Sequence, residues 1–243
     1  MTRLIVSDFD GTLMPYGQSA LSDSVKQLLR TALDRSIAVA VSSGRTYGEM
    51  KMLLGEFARE IYFICCDGAY YIKDDRVLYE RQIARTDLEI FASQAGDGLS
   101  VVFHGAKQNY ALGDVPHEAD RFRAVPIARL GQIKEKIFKV TSYGREVKLP
   151  AYCGLRMHWD GGPNASAQYV NRFADKGSAL SDLQMRLMLT KFDTAAMGDS
   201  GNDIAMMHNA KLAIAVGDRC EDLRRVCHLH LPSAEAALES ILT

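Results

Sequence analysis

Short apolar runs alternate with segments of helical periodicity at both ends of the chain. The runs at residues 4–6, 37–41 and 61–65 are rich in branched side chains and have the length of buried strands. Between the first two, apolar residues recur every three or four positions over 25–33, and Ser22 can cap that helix. Strands separated by helices of this length form a parallel sheet with helices on both faces. We therefore expect an α/β fold.

The middle of the chain has a different pattern. After Lys176 the alternation resumes, with apolar runs at 194–197 and 212–216. Residues 84–171 instead contain one helical pattern followed by segments of near-alternating polarity, typical of antiparallel strands. Gly161-Gly162-Pro163-Asn164 is the expected turn between the last two of these strands. We predict a Rossmann-like core of residues 1–83 and 172–243, interrupted by an inserted α+β domain at 84–171.

Composition excludes several kinds of partner. A formal net charge of −1 gives no support for nucleic-acid binding. No apolar run approaches the roughly 20 residues that span a bilayer, so we expect no membrane association. Five cysteines without framework spacing indicate reduced thiols and a cytoplasmic protein. The oligomeric state is left open by the sequence.

Polar side chains recur where the predicted strands end. Two carboxylates, Asp8 and Asp10, follow the first strand and repel each other unless a cation or a proton intervenes. In an open parallel sheet, ligands bind at the carboxyl ends of the strands. The polar residues expected to meet there are Asp8, Asp10, Ser42, Arg45, Lys176, Asp199 and Asp203.

The charges of this group indicate phosphoryl chemistry. Four carboxylates against Lys176 leave about −3 before Arg45 is counted, so an anion could enter only after neutralisation. Mg²⁺ takes carboxylate, phosphate and water oxygens. Lys176 and the Ser42 hydroxyl can hold phosphate oxygens. We therefore predict a Mg²⁺ cofactor and a small phosphorylated metabolite as ligand.

Four ordered motifs carry a resemblance to a known family. They are Asp8-Phe9-Asp10-Gly11-Thr12-Leu13, Ser42, Lys176-Gly177 and Gly198-Asp199-Ser200-Gly201-Asn202-Asp203. In order and spacing they resemble the haloacid dehalogenase-like hydrolases, and the insertion resembles the type IIB cap of the Cof-like branch. The segment Val216-Gly217-Asp218-Arg219-Cys220 departs from that branch, which commonly has Met-x-Asn-Ala there.

The resemblance implies catalytic and metal-binding roles for the aspartates. Asp8 would be the nucleophile that forms an aspartyl-phosphate. Asp10 would protonate the leaving oxygen and then deprotonate the attacking water. Asp8, the backbone carbonyl of Asp10 and Asp199 would bind Mg²⁺, with Asp203 as a direct or water-mediated ligand.

The resemblance also implies residues that bind substrate. Ser42 and Lys176 would hold the phosphoryl group, and Asn202 is a further candidate for this contact. Arg45 is a candidate for contact with the leaving group, the alternative being a surface salt bridge. The implied cap would close over the site and select the substrate.

The predicted function is Mg²⁺-dependent hydrolysis of a small phosphomonoester, with a sugar phosphate as one candidate substrate. One alternative is a phosphomutase of the phosphomannomutase type, which needs arginines for a second phosphate; those available are Arg121, Arg123, Arg145 and Arg156. Another is a non-catalytic module that binds a phosphorylated ligand. The sequence leaves open the physiological substrate and the cap residues that contact it.

Overall fold

The computed structural model describes residues 1–114, 123–151, 153–160 and 166–243. It confirms the predicted α/β class, with two compact units. The first comprises Met1–Arg45, Met50–Tyr79 and Asp175–Thr243, and the second comprises Thr46–Glu49 and Glu80–Ala174. The assignment of residues 84–171 as a specificity-determining cap stays a prediction. The turn expected at 161–164 and the candidate Arg121 lie outside the described residues.

The strands of the described chain form two sheets. In chain order they are β1 (Leu4–Asp8), β2 (Ala38–Ser42), β3 (Tyr62–Cys65), β4 (Tyr70–Lys73), β5 (Arg76–Glu80), β6 (Ser100–Gly105), β7 (Asn109–Leu112), β8 (Val125–Pro126), β9 (Ile137–Tyr143), β10 (Leu155–Asp160), β11 (Ser166–Asn171), β12 (Thr194–Gly198), β13 (Leu212–Val216) and β14 (Leu229–Leu231).

The helices are α1 (Asp23–Asp34), α2 (Tyr47–Leu53), α3 (Arg85–Gln94), α4 (Lys176–Arg186), α5 (Ile204–Met207), α6 (Glu221–Val226) and α7 (Ala234–Leu242). In the part of the chain that the structure describes, none is long and apolar enough to cross a membrane. The Ser22 hydroxyl accepts from Val25 N over 3.2 Å, so the predicted cap of α1 is present. Helix α4 ends at Arg186, two residues before Met188, which adopts a left-handed φ of 55°.

The first sheet has the order β14-β13-β12-β1-β2-β3-β4-β5. Its strands from β14 to β3 pair in parallel, as predicted, and β4 pairs antiparallel to β3. Strands β4 and β5 were not predicted from the sequence. The turn between them is Asp74-Asp75, with φ of 50° and 59°, whereas the sequence signal for such turns is a glycine in this conformation.

The second sheet has the order β10-β11-β9-β6-β7-β8. Alternate residues of a strand point to opposite faces, and one face belongs to an apolar core. Phe91 of α3 packs edge-on against Tyr169 of β11, with ring centroids 4.8 Å apart. The same core includes Val101, Phe103 and Val140. The predicted helix is present as α3, and β6 pairs antiparallel with β7, as expected for segments of alternating polarity.

The opposite face of the second sheet carries a row of polar side chains, most of them buried. We call His104, Asn109, Lys139, Thr141 and Gln168 the polar row. His104 Nε2 lies 2.9 Å from Thr141 Oγ1, and its Nδ1 lies 3.2 Å from Asn109 Oδ1. Lys139 Nζ donates to Gln168 Oε1 over 3.1 Å. Hydrogen bonds within the row thus replace water for side chains that the fold has buried.

Candidate active site

Three neighbouring parallel strands bring the predicted residues together. Strands β12, β1 and β2 are adjacent in the first sheet. Asp8, the last residue of β1, is in register with Ser42, the last residue of β2. Asp199 directly follows β12. Because parallel strands end at the same edge, the sheet itself collects these three side chains.

Asp8, Asp199 and Asp203 form an acidic cluster. Each carboxylate offers one oxygen, and the three oxygens lie within 4.8 Å of one another. Lys176, the first residue of α4, places Nζ 2.5 Å from Asp8 Oδ1 and 2.6 Å from Asp203 Oδ1. The Asp175 side chain fixes this helix end, since it accepts from Ser178 N over 2.8 Å. With all three carboxylates ionised, the single ammonium of Lys176 would leave a buried charge of about −2.

The electrostatics of the cluster follow from burial. Loss of hydration raises the pKa of the Asp8 carboxyl to about 8, because attraction to Lys176 only partly offsets it. Burial, with repulsion from Asp203, also raises the pKa of Asp199. Burial alone would lower the pKa of Lys176, but the Asp203 and Asp8 carboxylates outweigh it and raise that pKa. The cluster therefore disfavours the ionised forms of Asp8 and Asp199 and favours the charged form of Lys176.

Several buried oxygens at this edge have no hydrogen-bond partner among the described residues. They are Asp8 Oδ2, Asp199 Oδ1, Ser42 Oγ and Thr12 Oγ1. Buried polar atoms are rarely left in this state unless a ligand, ion or water satisfies them. Two free carboxylate oxygens beside a hydroxyl are a donor set that suits a hard divalent cation. The residues present therefore fit the predicted Mg²⁺.

Asp203 is the most engaged member of the acidic cluster. Its Oδ2 accepts from the backbone N of Asp199 over 3.2 Å and from Ser200 N over 3.1 Å. Gly198 is required beneath it, because a Cβ there would overlap the Asp203 carboxylate. Asp203 thus holds Lys176 through one oxygen and the loop that carries Asp199 through the other.

Asp10 lies beside the acidic cluster in sequence but forms a separate ion pair. Arg45 Nη2 lies 2.6 Å from Asp10 Oδ1, and Arg45 Nε lies 2.8 Å from Asp10 Oδ2. The Ser43 hydroxyl donates to Asp10 Oδ2 over 3.2 Å. Arg45 was a candidate for contact with the leaving group, with a surface salt bridge as the alternative. The structure shows a partly buried ion pair, and its partner Asp10 was not predicted from the sequence. The position of Arg45 three residues past the end of β2 was a signal for proximity to this edge, but not for this partner.

Asn202 has a partner that the sequence analysis missed. Its Nδ2 donates to Asp67 Oδ1 over 3.2 Å, and Asp67 N donates to Ser43 O over 3.1 Å. Asp67 has a left-handed φ of 56°, a conformation that costs free energy in a residue other than glycine. The Asp67-Gly68 pair after the third strand was the available signal, since it repeats the carboxylate-at-strand-end pattern.

Tyr16 and Arg219 also reach this edge, and no predicted motif contains them. The Tyr16 hydroxyl donates to Asp199 Oδ2 over 3.2 Å. The Arg219 guanidinium lies 4.1 Å from the centre of the Tyr16 ring, and its Nη1 lies 3.9 Å from Asp199 Oδ2. Burial and the neighbouring Asp199 raise the pKa of Tyr16 to about 12, so its hydroxyl stays a donor. Arg219 belongs to the segment that departs from the Cof-like pattern.

Comparisons with known proteins bear on this arrangement. The family profile of haloacid dehalogenase-like hydrolases matches residues 5–237. The chain is 24% identical to the 5-amino-6-(5-phospho-D-ribitylamino)uracil phosphatase YcsE of Bacillus subtilis, over 89% of this chain and 84% of that protein. It is 25% identical to an HMP-PP phosphatase of Escherichia fergusonii, over 96% of this chain and 90% of that protein.

The fold has close counterparts among solved structures. A sugar phosphatase, BT4131, described as subclass IIB of the same superfamily, superposes with a TM-score of 0.81 at 18% identity, over 99% of each chain. This chain is a hydrolase in fold and family. It belongs to the haloacid dehalogenase-like hydrolases, and the resemblance drawn from the four motifs is confirmed.

Proposed function

We propose that the protein is a Mg²⁺-dependent phosphatase that hydrolyses a small phosphomonoester through an aspartyl-phosphate on Asp8. One observation carries the proposal. Asp8 Oδ2, Asp199 Oδ1 and Ser42 Oγ are buried without partners among the described residues, at a sheet edge where Lys176 supplies a buried cation. Oxygens that lack partners beside a cation suit a phosphate–metal pair. The names of the relatives, both phosphatases, support the same reaction.

Asp8 and Asp199 would hold the cation through their free oxygens, with the backbone carbonyl of Asp10 as a third ligand. Asp203 already uses both oxygens within the protein, so we assign it a water-mediated contact. The bound cation would neutralise the surplus negative charge and polarise the phosphate. Its attraction would also favour the ionised form of Asp8, which burial disfavours.

The reaction would proceed in two displacements. In the first, a carboxylate oxygen of Asp8 forms a bond to phosphorus while the bond from phosphorus to the leaving oxygen breaks, and Asp10 gives its proton to that oxygen. In the second, water attacks phosphorus, Asp10 takes the proton of the water, and the bond to Asp8 breaks. Inorganic phosphate leaves and Asp8 is regenerated.

Ser42, Lys176 and Asn202 would bind the transferring phosphoryl group. Ser42 Oγ is available for this contact. The Lys176 ammonium would attract the negatively charged phosphoryl group, and the low dielectric of the buried site would strengthen that attraction. Asn202 would exchange its hydrogen bond to Asp67 for one to phosphate, so its contribution would be the smallest of the three.

Arg45 would control when Asp10 can act as an acid. Arg45 contacts both oxygens of Asp10, yet the first displacement needs one of them to deliver a proton to the leaving oxygen. We propose that Arg45 moves to the leaving group when substrate binds and so releases Asp10. The ion pair is only partly buried, with side-chain exposures of 28% and 33%, and it can therefore open without stranding a charge in the core.

The substrate would be a small phosphorylated metabolite. The relatives are named for a phosphoribitylamino-uracil and for HMP-PP, and the fold counterpart for sugar phosphates. We assign the choice of leaving group to the inserted residues 84–171. Location in the cytoplasm stays a prediction from cysteine usage.

The experiment is phosphate release from a panel of small phosphate esters, measured with Mg²⁺ and with a chelator. We expect release only with Mg²⁺, and its loss in Asp8→Asn but not in the control Asp23→Asn, whose side chain is fully exposed. Full activity in Asp8→Asn would contradict the proposed mechanism. Isomerisation of a hexose 1-phosphate with a trace of bisphosphate would indicate a mutase instead. No release from any ester would indicate a binding module.

A further inference from the structure

Tyr16 and Arg219 form a stacked pair that meets one oxygen of the acidic cluster. The Tyr16 hydroxyl donates to Asp199 Oδ2 over 3.2 Å, and Arg219 Nη1 lies 3.9 Å from the same oxygen. The guanidinium lies over the Tyr16 ring at 4.1 Å. Stacking of this kind stabilises the position of an aromatic ring.

The other oxygen of Asp199 has different surroundings. Asp199 Oδ1 is buried and has no partner among the described residues. A carboxylate whose one oxygen accepts a hydrogen bond cannot turn about its Cβ–Cγ bond without losing that bond. The Tyr16 hydroxyl therefore determines which oxygen remains available to a cation.

The close approach of Tyr16 is specified by the sequence at Gly11. This glycine has a φ of +87°, and a Cβ on it would overlap both the Tyr16 ring and Asp199 Oδ2. The turn after Asp10 thus leaves space for the ring against the acidic cluster. The contact is built into the turn, even though more than half of Tyr16 is exposed.

We propose that Tyr16 is a positioning residue for the metal ligand Asp199, and that Arg219 acts through Tyr16 by holding its ring. The inference rests on the proposed function, since it assigns a support to the same Mg²⁺ site. Groups that orient a metal ligand in this way typically contribute 10–100-fold to metal affinity.

The charge of Arg219 opposes its effect through the ring. A guanidinium near Asp199 repels a cation bound there, although the 60% exposure of this side chain lets solvent screen the repulsion. Replacing Arg219 therefore has two consequences of opposite sign for Mg²⁺ affinity. One of them is the loss of the contact by which Arg219 holds the Tyr16 ring. Only this consequence requires the Tyr16 hydroxyl.

The first test is Mg²⁺ binding by titration calorimetry on the whole chain, for the wild type and Tyr16→Phe. We expect the Kd for Mg²⁺ to rise about 10-fold or more in the variant. At saturating Mg²⁺ we expect its kcat for phosphate release to return to within about twofold of the wild type. Tyr110→Phe is the matched control, because it removes another hydroxyl that donates to a carboxylate, Glu135, over 2.8 Å.

Either of two results would overturn the assignment of Tyr16. One is a Kd within twofold of the wild type. The other is a lowered kcat at saturating Mg²⁺ with an unchanged Kd, since the hydroxyl would then serve the substrate. A thermal unfolding midpoint measured with chelator shows that each variant is folded before it is titrated.

The second test is a double-mutant cycle with Arg219→Gln. If Arg219 acts through the Tyr16 hydroxyl, the fold-change in Kd caused by Arg219→Gln differs at least threefold between the wild-type and Tyr16→Phe backgrounds. Equal fold-changes in both backgrounds would overturn the proposal that Arg219 acts by holding the Tyr16 ring. Arg225→Gln is the control, since Arg225 lies on α6 and pairs with Glu221 at 2.6 Å.

The outcomes separate this inference from the proposed function. Wild-type protein that binds Mg²⁺ but releases no phosphate from any ester contradicts the function and leaves the Tyr16 comparison decisive. Wild-type protein that does not bind Mg²⁺ overturns both.

Discussion

Two lysines of the described residues are almost completely buried, one in each unit, and the side chains beside them differ. Lys176 lies between the carboxylates of Asp8 and Asp203, at 2.5 and 2.6 Å. Lys139, in the polar row, donates to the amide oxygen of Gln168 over 3.1 Å. Burial of an ammonium is costly in both places. In the first unit opposite charge offsets that cost, whereas in the second a neutral dipole contributes.

The difference shows which of the two sites contains buried charge that is not balanced. Lys176 is outnumbered by buried carboxylates, so its site retains a surplus of negative charge that a divalent cation would relieve. The polar row is a hydrogen-bonded network without an acidic cluster among the described residues. The first arrangement suits a site that binds and turns over charged ligands, and the second suits a face held in one conformation.

Lys176→Met should produce the largest effect. Removal of the ammonium leaves Asp8 and Asp203 buried without their cation, which we expect to lower the free energy of unfolding by about 3–5 kcal/mol with chelator present. We expect turnover to fall by about 10²–10³-fold or more, as for loss of a preorganised cation. Denaturant unfolding and phosphate release check the two expectations. Near-wild-type stability would contradict the comparison.

With chelator present, Asp8→Asn should stabilise the folded protein, although the substitution abolishes turnover. Burial raises the pKa of Asp8 from 3.8 to about 8, so the folded chain retains a proton that the unfolded chain has lost. Stability of the wild type therefore falls as pH rises between about 4 and about 8. The variant lacks this loss, and its advantage should grow across that window by at most about 1.4 kcal/mol per pH unit.

The measurement is the thermal unfolding midpoint of both proteins at pH 5, 6, 7 and 8, with chelator. Added Mg²⁺ should reduce or reverse the difference, because it stabilises the wild-type carboxylate. A difference independent of pH would show that Asp8 does not carry the surplus charge of the cluster.

The sequence was sufficient to predict the meeting of those site residues that lie at the carboxyl ends of adjacent parallel strands. Asp8, Ser42 and Asp199 are fixed by strand order and register alone, so an alternating pattern of strands and helices predicts their meeting. Tyr16 and Arg219 lie on loops whose course depends on turns. The approach of Tyr16 needs the positive φ at Gly11 and the absence of a Cβ there, and sequence periodicity contains no signal for such a contact.

The polar row was unpredictable for a related reason. His104, Thr141 and Gln168 lie on three strands, and they meet only because of the antiparallel register of β6, β9 and β11. A shift of one residue would turn each side chain to the other face. The existence of antiparallel strands followed from alternating polarity, but their register did not.

Arg45→Gln should have an intermediate effect, on activity more than on stability. The variant loses the two-point contact to Asp10 and leaves it the Ser43 hydroxyl. We expect kcat/KM to fall about 10-fold, with partial recovery in Arg45→Lys, which retains charge but not the planar fork. Arg30→Gln is the control, because Arg30 contacts both oxygens of Glu60 at 2.7 Å. Unchanged kinetics in Arg45→Gln would reduce its ion pair to a surface contact.

Lys139→Met should have the smallest effect and provides the matched counterpart of Lys176→Met. The same substitution removes two things. One is a buried ammonium, whose burial is costly, and the other is its hydrogen bond to the Gln168 amide. A hydrogen bond made by a charged group contributes about 1.5–3 kcal/mol net, and relief of ammonium desolvation offsets part of that. We therefore expect the free energy of unfolding to fall by about 1–2 kcal/mol in urea unfolding with chelator. A loss equal to that of Lys176→Met would show that the two lysines are held by forces of the same size.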